Sequence, residues 1–535
     1  MADVIRQPCD QGVLLSGRVA AVRAPEQHRN WVLVATILGS SMVFINGSTV
    51  NVALPALQNS LNASVADMQW IINSYTLFLA SLILLGGSLG DHYGRKRIFM
   101  IGVVVFALAS VWCAVVPNVT WLIIARAAQG IGGALLTPGS LAIISATFRD
   151  EERGRAIGLW AGFSALTSAI GPLLGGWLID SFSWRWIFLI HIPLAMIVLV
   201  ISFLFVPESR DEEAPSNLDW WGSLLVTLGL GGVTFGLISA SERGLDNGLV
   251  WGALLAGGVL LGVFVWWEAR NPEPMIPLSL FRSRNFSGAN LLTLFLYIAL
   301  SGALFFLPLN LIQVQGYSAT QAGAAFLPMI LIMSLLSSWT GGLVNRVGAR
   351  LLLVVGPVIA GVGFFLLGLP GEGGSYWITY FPAMVVIGLG MAVSVAPLTT
   401  TVMDSVADHF AGTASGVNNA VSRVASLLAI ALLGIVMVQV FSNSLEGSLS
   451  ALALPAGTQD AIISQQTSLA AIEVPAGLDE NSAEALNGTV TDAFMVGFRV
   501  VSFVSAGLAL ISALIAGIMI ADKPKAEVRP ALAPE

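Results

Sequence analysis

Charge is what this chain lacks. Asp, Glu, Lys and Arg supply 10% of its 535 residues against 56% hydrophobic, whereas a soluble domain carries about a quarter charged residues. So little charge cannot clothe a water-facing surface. Apolar runs of roughly 20 residues, enough to cross about 30 Å of hydrocarbon, recur along almost the whole length. The expected fold class is an all-α polytopic membrane protein. A formal net charge of −7 offers no basic surface to nucleic acid, and no nucleic-acid partner is expected.

Cysteine is nearly absent as well. Cys9 lies in a polar tail and Cys113 in an apolar run, so neither a disulfide framework nor a metal site is expected. Residues 1–30 hold Arg6, Arg18, Arg23 and Arg29 but no uninterrupted apolar core followed by a small-residue cleavage site, which predicts a cytoplasmic tail and no signal peptide. A Gly-rich Lys loop for nucleotides is missing, as is any set of nucleophile, base and orienting group. The chain is therefore not expected to be an enzyme, and no cofactor is expected.

What is present is a series of fourteen candidate spans, near 31–55, 68–90, 97–117, 120–145, 156–179, 185–206, 219–240, 249–268, 286–312, 321–344, 350–370, 376–403, 413–442 and 491–520. With the amino terminus inside, the inner segments collect Arg95, Lys96, Arg97, Arg149, Arg153, Arg155, Arg282, Arg284, Arg346 and Arg350, while the outer loops hold only Arg185 and Arg243. That asymmetry predicts a multi-pass protein of the cytoplasmic (inner) membrane. An even number of spans returns Lys523, Lys525 and Arg529 to the cytoplasm, so both termini are expected there. Segment 443–490 carries Glu446, Asp460, Glu473, Asp479, Glu480 and Glu484 without a Lys or Arg. It reads as an external loop that either gathers cations or serves as a solvated, partly helical cap.

Arg126, Arg423 and Arg499 lie inside spans, where a charge is expensive unless it meets a wet cavity or a partner. Arg126 leads Gln129 by three residues and Gly130 by four, so the three share one helix face. Asn51, Asn73, Asn310 and Asn418 could line a cavity or bond between helices.

The loop Gly87-Ser-Leu-Gly-Asp91-His-Tyr-Gly94-Arg95-Lys96-Arg97 resembles the signature between helices 2 and 3 of the major facilitator superfamily. Arg126, Gln129 and Gly130 resemble its fourth-helix motif. Gly162 followed by Gly171-Pro172-Leu-Leu-Gly175-Gly176 resembles the fifth-helix motif of antiporters, and Trp184-Arg-Trp-Ile-Phe188 adds to the match. The resemblance covers essentially the whole chain and points to the fourteen-helix drug:proton antiporter branch.

It implies the major facilitator fold, with two six-helix bundles and two inserted helices. A weaker copy of the loop signature at Gly341 to Arg350 supports the internal repeat. The expected division is a tail at 1–30, an N-terminal bundle at 31–206, two inserted helices and linkers at 207–285, a C-terminal bundle at 286–520 and a tail at 521–535. Gly87, Asp91, Gly94, Arg95 and Lys96 would form a conformational latch, with Asp91 capping a helix start.

The same resemblance makes Asn46 conspicuous, because the family usually places Asp there. An Asp in a polar cavity holds and releases a proton, whereas Asn does not. No carboxylate falls near the middle of any span, and His191 is the only well-buried candidate that titrates near neutral pH. Asn46, Asn51, Asn73, Arg126, His191, Asn310 and Asn418 are accordingly the candidates for a substrate and coupling cavity. The implied activity is secondary active multidrug export of amphipathic small molecules by alternating access and proton antiport, carried out by a monomer among membrane lipids. The alternatives are a lipid or natural-product exporter, a facilitative carrier without proton coupling, and a membrane sensor that does not transport.

Overall fold

The computed structural model describes residues 26–148, 150–210, 218–406, 411–450, 452, 457–472 and 478–521. Most of both tails, with Cys9, Arg6, Arg18, Arg23, Lys523, Lys525 and Arg529, lies outside the described residues, as do Arg149 and Glu473. The described residues are mostly helical and contain no strand.

Among the described residues fourteen helical spans are long and apolar enough to cross a membrane, the sixth running from Trp186 to Phe205 through a break at Ile190. We label them α1 (Glu26–Leu61), α2 (Val65–Tyr93), α3 (Arg95–Val115), α4 (Val119–Thr147), α5 (Asp150–Ser181), α6 (His191–Phe205), α7 (Trp220–Arg243), α8 (Gly248–Arg270), α9 (Arg284–Leu309), α10 (Leu327–Val347), α11 (Ala349–Leu367), α12 (Phe381–Asp404), α13 (Ala411–Leu449) and α14 (Glu480–Met519). Each of the fourteen expected spans coincides with one of them. A short helix, Ala319–Ala324, leads into α10.

In the N-terminal half α4 packs on α2 and α3, and α1 packs on α5 and α6; in the C-terminal half α11 packs on α12 and α14, and α9 on α13 and α14. The inserted pair α7 and α8 pack on each other, and α7 leans on α2 and α13. Burial follows that arrangement. α8 is almost wholly peripheral, with Leu255 and Val259 exposed toward the place of lipid, whereas Phe286, Leu292, Leu296 and Phe306 of α9 are buried.

Two loops show the internal repeat in the backbone itself. Gly94 separates α2 from α3 at φ +110° and Gly348 separates α10 from α11 at φ +87°, conformations that side-chain-bearing residues rarely adopt. They stand at the same place in the two copies of the loop signature. The helix ends beside Arg95–Arg97 and Arg346–Arg350 are the basic end of the molecule.

The opposite, acidic end differs from the expected loop. α13 runs on to Leu449 and α14 starts at Glu480, so the connection is shorter than 443–490. Asp479 starts α14 by accepting from the Ser482 amide (3.1 Å) and hydroxyl (2.6 Å), and these bonds hold its carboxyl below the usual range. The connection is also packed: Ile462 and Leu469 are buried, and Gln58 Nε2 donates to Ser468 O at 2.9 Å.

Candidate functional site

Arg126 enters the N-terminal half from α4 and is 1% exposed. Glycines let the surrounding backbones close on it. A β-carbon on Gly130 would stand 2.4 Å from Tyr75 O, and one on Gly132 would stand 2.6 Å from Phe106 N, so α4 lies directly against α2 and α3. The guanidinium then finds only neutral partners. Its Nε donates to Ile71 O at 3.0 Å, and its Nη1 donates to Asn46 Oδ1 at 3.0 Å and Gln129 Oε1 at 2.6 Å. The Tyr75 ring lies 4.3 Å from its Cζ, a cation–π contact. Gln129 passes the network on, donating to Ser110 Oγ at 2.8 Å, which donates to Phe106 O at 2.7 Å.

His191 joins the same cluster from the first turn of α6. Its Nδ1 lies 3.1 Å from Phe188 O and its Nε2 3.1 Å from Met42 O, one turn before Asn46 on α1. Its ring meets the Phe106 ring edge to face at 5.3 Å, and none of it is exposed.

The other candidate amides are placed elsewhere. Asn310 donates to Met495 Sδ at 3.1 Å and accepts from the Tyr380 hydroxyl at 2.8 Å. Asn418 donates to Asn290 Oδ1 at 3.1 Å and Thr293 Oγ1 at 2.8 Å. Asn73 is buried with neither amide atom bonded, one turn from the equally buried Gln69. Asn51 is half-buried. The structure thus brings Asn46, Arg126, Gln129 and His191 together and disperses the remaining amides. Among the described residues no group of His, Cys, Asp and Glu could hold a metal ion.

The fifth-helix motif has two working faces. A β-carbon on Gly171 would fall 1.9 Å from Ser48 Oγ and one on Gly175 3.0 Å from Thr49, both on α1. Gly176 and Pro172 look the other way, toward the C-terminal half. A β-carbon on Gly176 would fall 2.2 Å from Ala319 O, and one on Gly323 2.1 Å from Pro172 O. The halves therefore meet backbone to backbone along a glycine seam at the acidic end. Asp180, one turn further along α5, seals it. Its carboxylate accepts from Ala319 N (3.1 Å), Thr320 N (2.8 Å) and Thr320 Oγ1 (2.6 Å), satisfying the first amides of the short helix. Gln58 Oε1 adds a contact from Gln313 at 2.8 Å. Gly162 has no such duty, since a β-carbon there meets nothing within 4 Å. The motif spacing points to the seam glycines, but only the folded chain joins Asp180 to Thr320.

At the basic end Asp91 accepts from Arg95 Nε at 2.8 Å and Nη2 at 2.7 Å. The start of α3 is capped by an acid from beyond α6. Glu208 accepts from Lys96 N at 3.0 Å and Arg97 N at 3.2 Å. Glu208 also explains Gly94, where a β-carbon would be 2.8 Å from that carboxyl group. Gly87 is less constrained, with Pro138 Cβ at 3.6 Å from such an atom.

The sequence profile of the Major Facilitator Superfamily matches residues 36–430. The multidrug resistance protein Stp of Mycobacterium tuberculosis (strain CDC 1551 / Oshkosh) is 35% identical over 424 residues, 77% of this chain and 77% of that protein. The tetracenomycin C resistance and export protein of Streptomyces glaucescens is 30% identical over 496 residues, 91% of each chain. Among solved structures, a bacterial homolog of the human lysosomal transporter Spinster, inward-facing and occupied, aligns over 92% of this chain and 97% of its own with a TM-score of 0.61 and 18% identity.

Proposed function

The chain belongs to the Major Facilitator Superfamily, and from that premise we propose that it is a secondary active exporter of amphipathic small molecules. Relatives named for drug resistance and export support the substrate class. The observation that carries the reading is the buried Arg126 cluster, set in one half of a molecule whose halves touch through a glycine seam. Such a seam can part and reclose without unfolding either half, which alternating access requires. In this reading the N-terminal half spans 31–206, the C-terminal half 286–520, and a single chain is the transporting unit.

Expression in an efflux-deficient bacterium should lower the accumulation of at least one compound in a panel of acidic, neutral and cationic amphipaths, and a protonophore should restore it. Unchanged accumulation across the panel would overturn the exporter. Proteoliposomes separate coupling from transport, since substrate movement without proton movement would leave a facilitative carrier.

Orientation follows from the basic end. We place Arg95–Arg97 in the cytoplasm and residues 450–479 outside. Ser450 and Arg210 are both exposed, so an impermeant thiol reagent applied to intact cells should label Ser450→Cys above the parent background. Arg210→Cys should react only after permeabilisation, and the reverse pattern would invert the topology.

We take the Asp91–Arg95 pair as the latch on the cytoplasmic side, because an interaction that differs between states is what biases their equilibrium. Asp91→Asn should lower export several-fold while substrate affinity of the purified protein stays within about twofold, roughly 0.4 kcal/mol. Loss of affinity in a normally folded variant would count against a latch.

A further inference from the structure

The positive charge at Arg126 has no counter-ion among the groups that bond it. Arginine stays charged at any physiological pH, and all three oxygens it holds belong to neutral groups. The helices that enclose it offer nothing better: α3, α4 and α6 contain no Asp or Glu, and α1 and α2 carry acids only in their terminal turns, at Glu26, Asp67 and Asp91. A buried cation left in this condition is costly.

Donors around it are also idle. Asn46 spends its Oδ1 on Arg126, which leaves its buried Nδ2 and the buried Tyr75 hydroxyl with no partner but each other. Arg126 itself bonds through Nε and Nη1, and among the described residues its Nη2 makes no bond. The Tyr75 hydroxyl lies beside Asn46 and within electrostatic reach of both Arg126 and Arg423 of α13. The Asn46 amide, the Tyr75 hydroxyl and a net positive charge thus lie side by side. Each idle donor carries a desolvation cost that an incoming oxygen would remove.

We propose that Arg126, Asn46 and Tyr75 form a binding site for an oxyanion, the carboxylate, sulfonate or phosphate group of an amphipathic substrate. The site selects acids and repels cations. Asn46 is its key: an Asp there would neutralise the guanidinium 3.0 Å away and occupy the place of the ligand. The proposal takes its purpose from the export reading, but its test reads binding alone. Export failing with binding intact would therefore overturn the exporter and leave the site standing.

The test compares 1-anilinonaphthalene-8-sulfonate with N-phenyl-1-naphthylamine, two fluorescent amphipaths that differ by the sulfonate. Binding is measured to the full chain in phosphatidylcholine nanodiscs, with empty nanodiscs subtracted. The parent should favour the sulfonate by about tenfold or more, tenfold being ~1.4 kcal/mol. Arg126→Gln should erase that preference. Asn46→Asp should erase it as well, and it keeps the guanidinium paired should Arg126→Gln fail to fold; thermal unfolding reports which variants are intact. Phosphatidylglycerol added to the nanodiscs separates the two sources of the anion. Competition by that lipid in the parent assigns the site to lipid headgroups, and its absence assigns it to free acids. A parent without preference, or a preference unchanged in the intact variants, would overturn the site.

Discussion

Gly176→Leu should abolish export, because the variant cannot close the seam at the acidic end. The new β-carbon would stand 2.2 Å from Ala319 O, 2.5 Å from Ala319 C and 2.7 Å from Thr320 Cα. All three are backbone atoms that no rotamer change can move aside. Overpacking of this kind costs about 1–3 kcal/mol, and parting the two halves relieves it. At ~1.4 kcal/mol per tenfold, the closed state would lose between about fivefold and more than a hundredfold of its population relative to the open one. Nitroxide labels at Phe182 and Ser318, both exposed beside the seam, should report longer distances in the variant, and drug resistance of the host should fall to that of the empty vector. Gly162→Ala is the matched control, since it alters the same motif where a β-carbon meets nothing. Asp180→Asn should act in the same direction but less strongly, because an amide oxygen still accepts from Thr320. Parental distances and export in Gly176→Leu would show that the seam is not a gate.

How much of this could be read from the sequence depends on the range of the interaction. Hydropathy places all fourteen helices, because crossing lipid imposes a length and a composition on each one separately. Arg126 and Gln129 were legible for the same local reason: three residues apart on a helix, they share a face, and the structure bonds them at 2.6 Å. The glycine of the loop signature was legible too, although its reason was not. Gly94 admits Glu208, which stands more than a hundred residues away and caps the start of α3. Asp180 stands at a helix end, and its partners Ala319 and Thr320 are 139 and 140 residues further on. Nor does anything in the sequence say that Tyr75 lies under Arg126. The seven cavity candidates shared one property, polarity within an apolar span, and that property does not distinguish a side chain in a common site from one bonding its own pair of helices. Asn310 and Asn418 bond side chains of neighbouring elements in the C-terminal half, whereas Asn46 bonds the Arg126 guanidinium.

His191→Gln should abolish proton movement driven by substrate while downhill substrate exchange persists. His191 is the one histidine set well inside the described bundle, and both of its ring nitrogens face backbone carbonyls at 3.1 Å. A carbonyl only accepts. The neutral ring carries one N–H and can bond either Phe188 O or Met42 O, while the protonated ring bonds both. Gaining or losing a proton therefore makes or breaks one of two contacts, and the one to Met42 leads to the Arg126 cluster. Met42 lies one turn before Asn46 on α1. Phe106, against the imidazole at 5.3 Å, holds Ser110, which holds Gln129, which holds the guanidinium. A proton on His191 can thus alter the position of Asn46 relative to Arg126 without entering the cluster itself. Glutamine retains a donor for one carbonyl but cannot switch between the two states. In proteoliposomes containing a pH-sensitive dye, the variant should show proton movement no greater than protein-free vesicles when substrate is added, with labelled substrate still exchanging down its gradient. Proton movement equal to that of the parent would mean that the proton takes a route independent of His191, and the coupling would then have to be sought at the titratable groups of the helix ends.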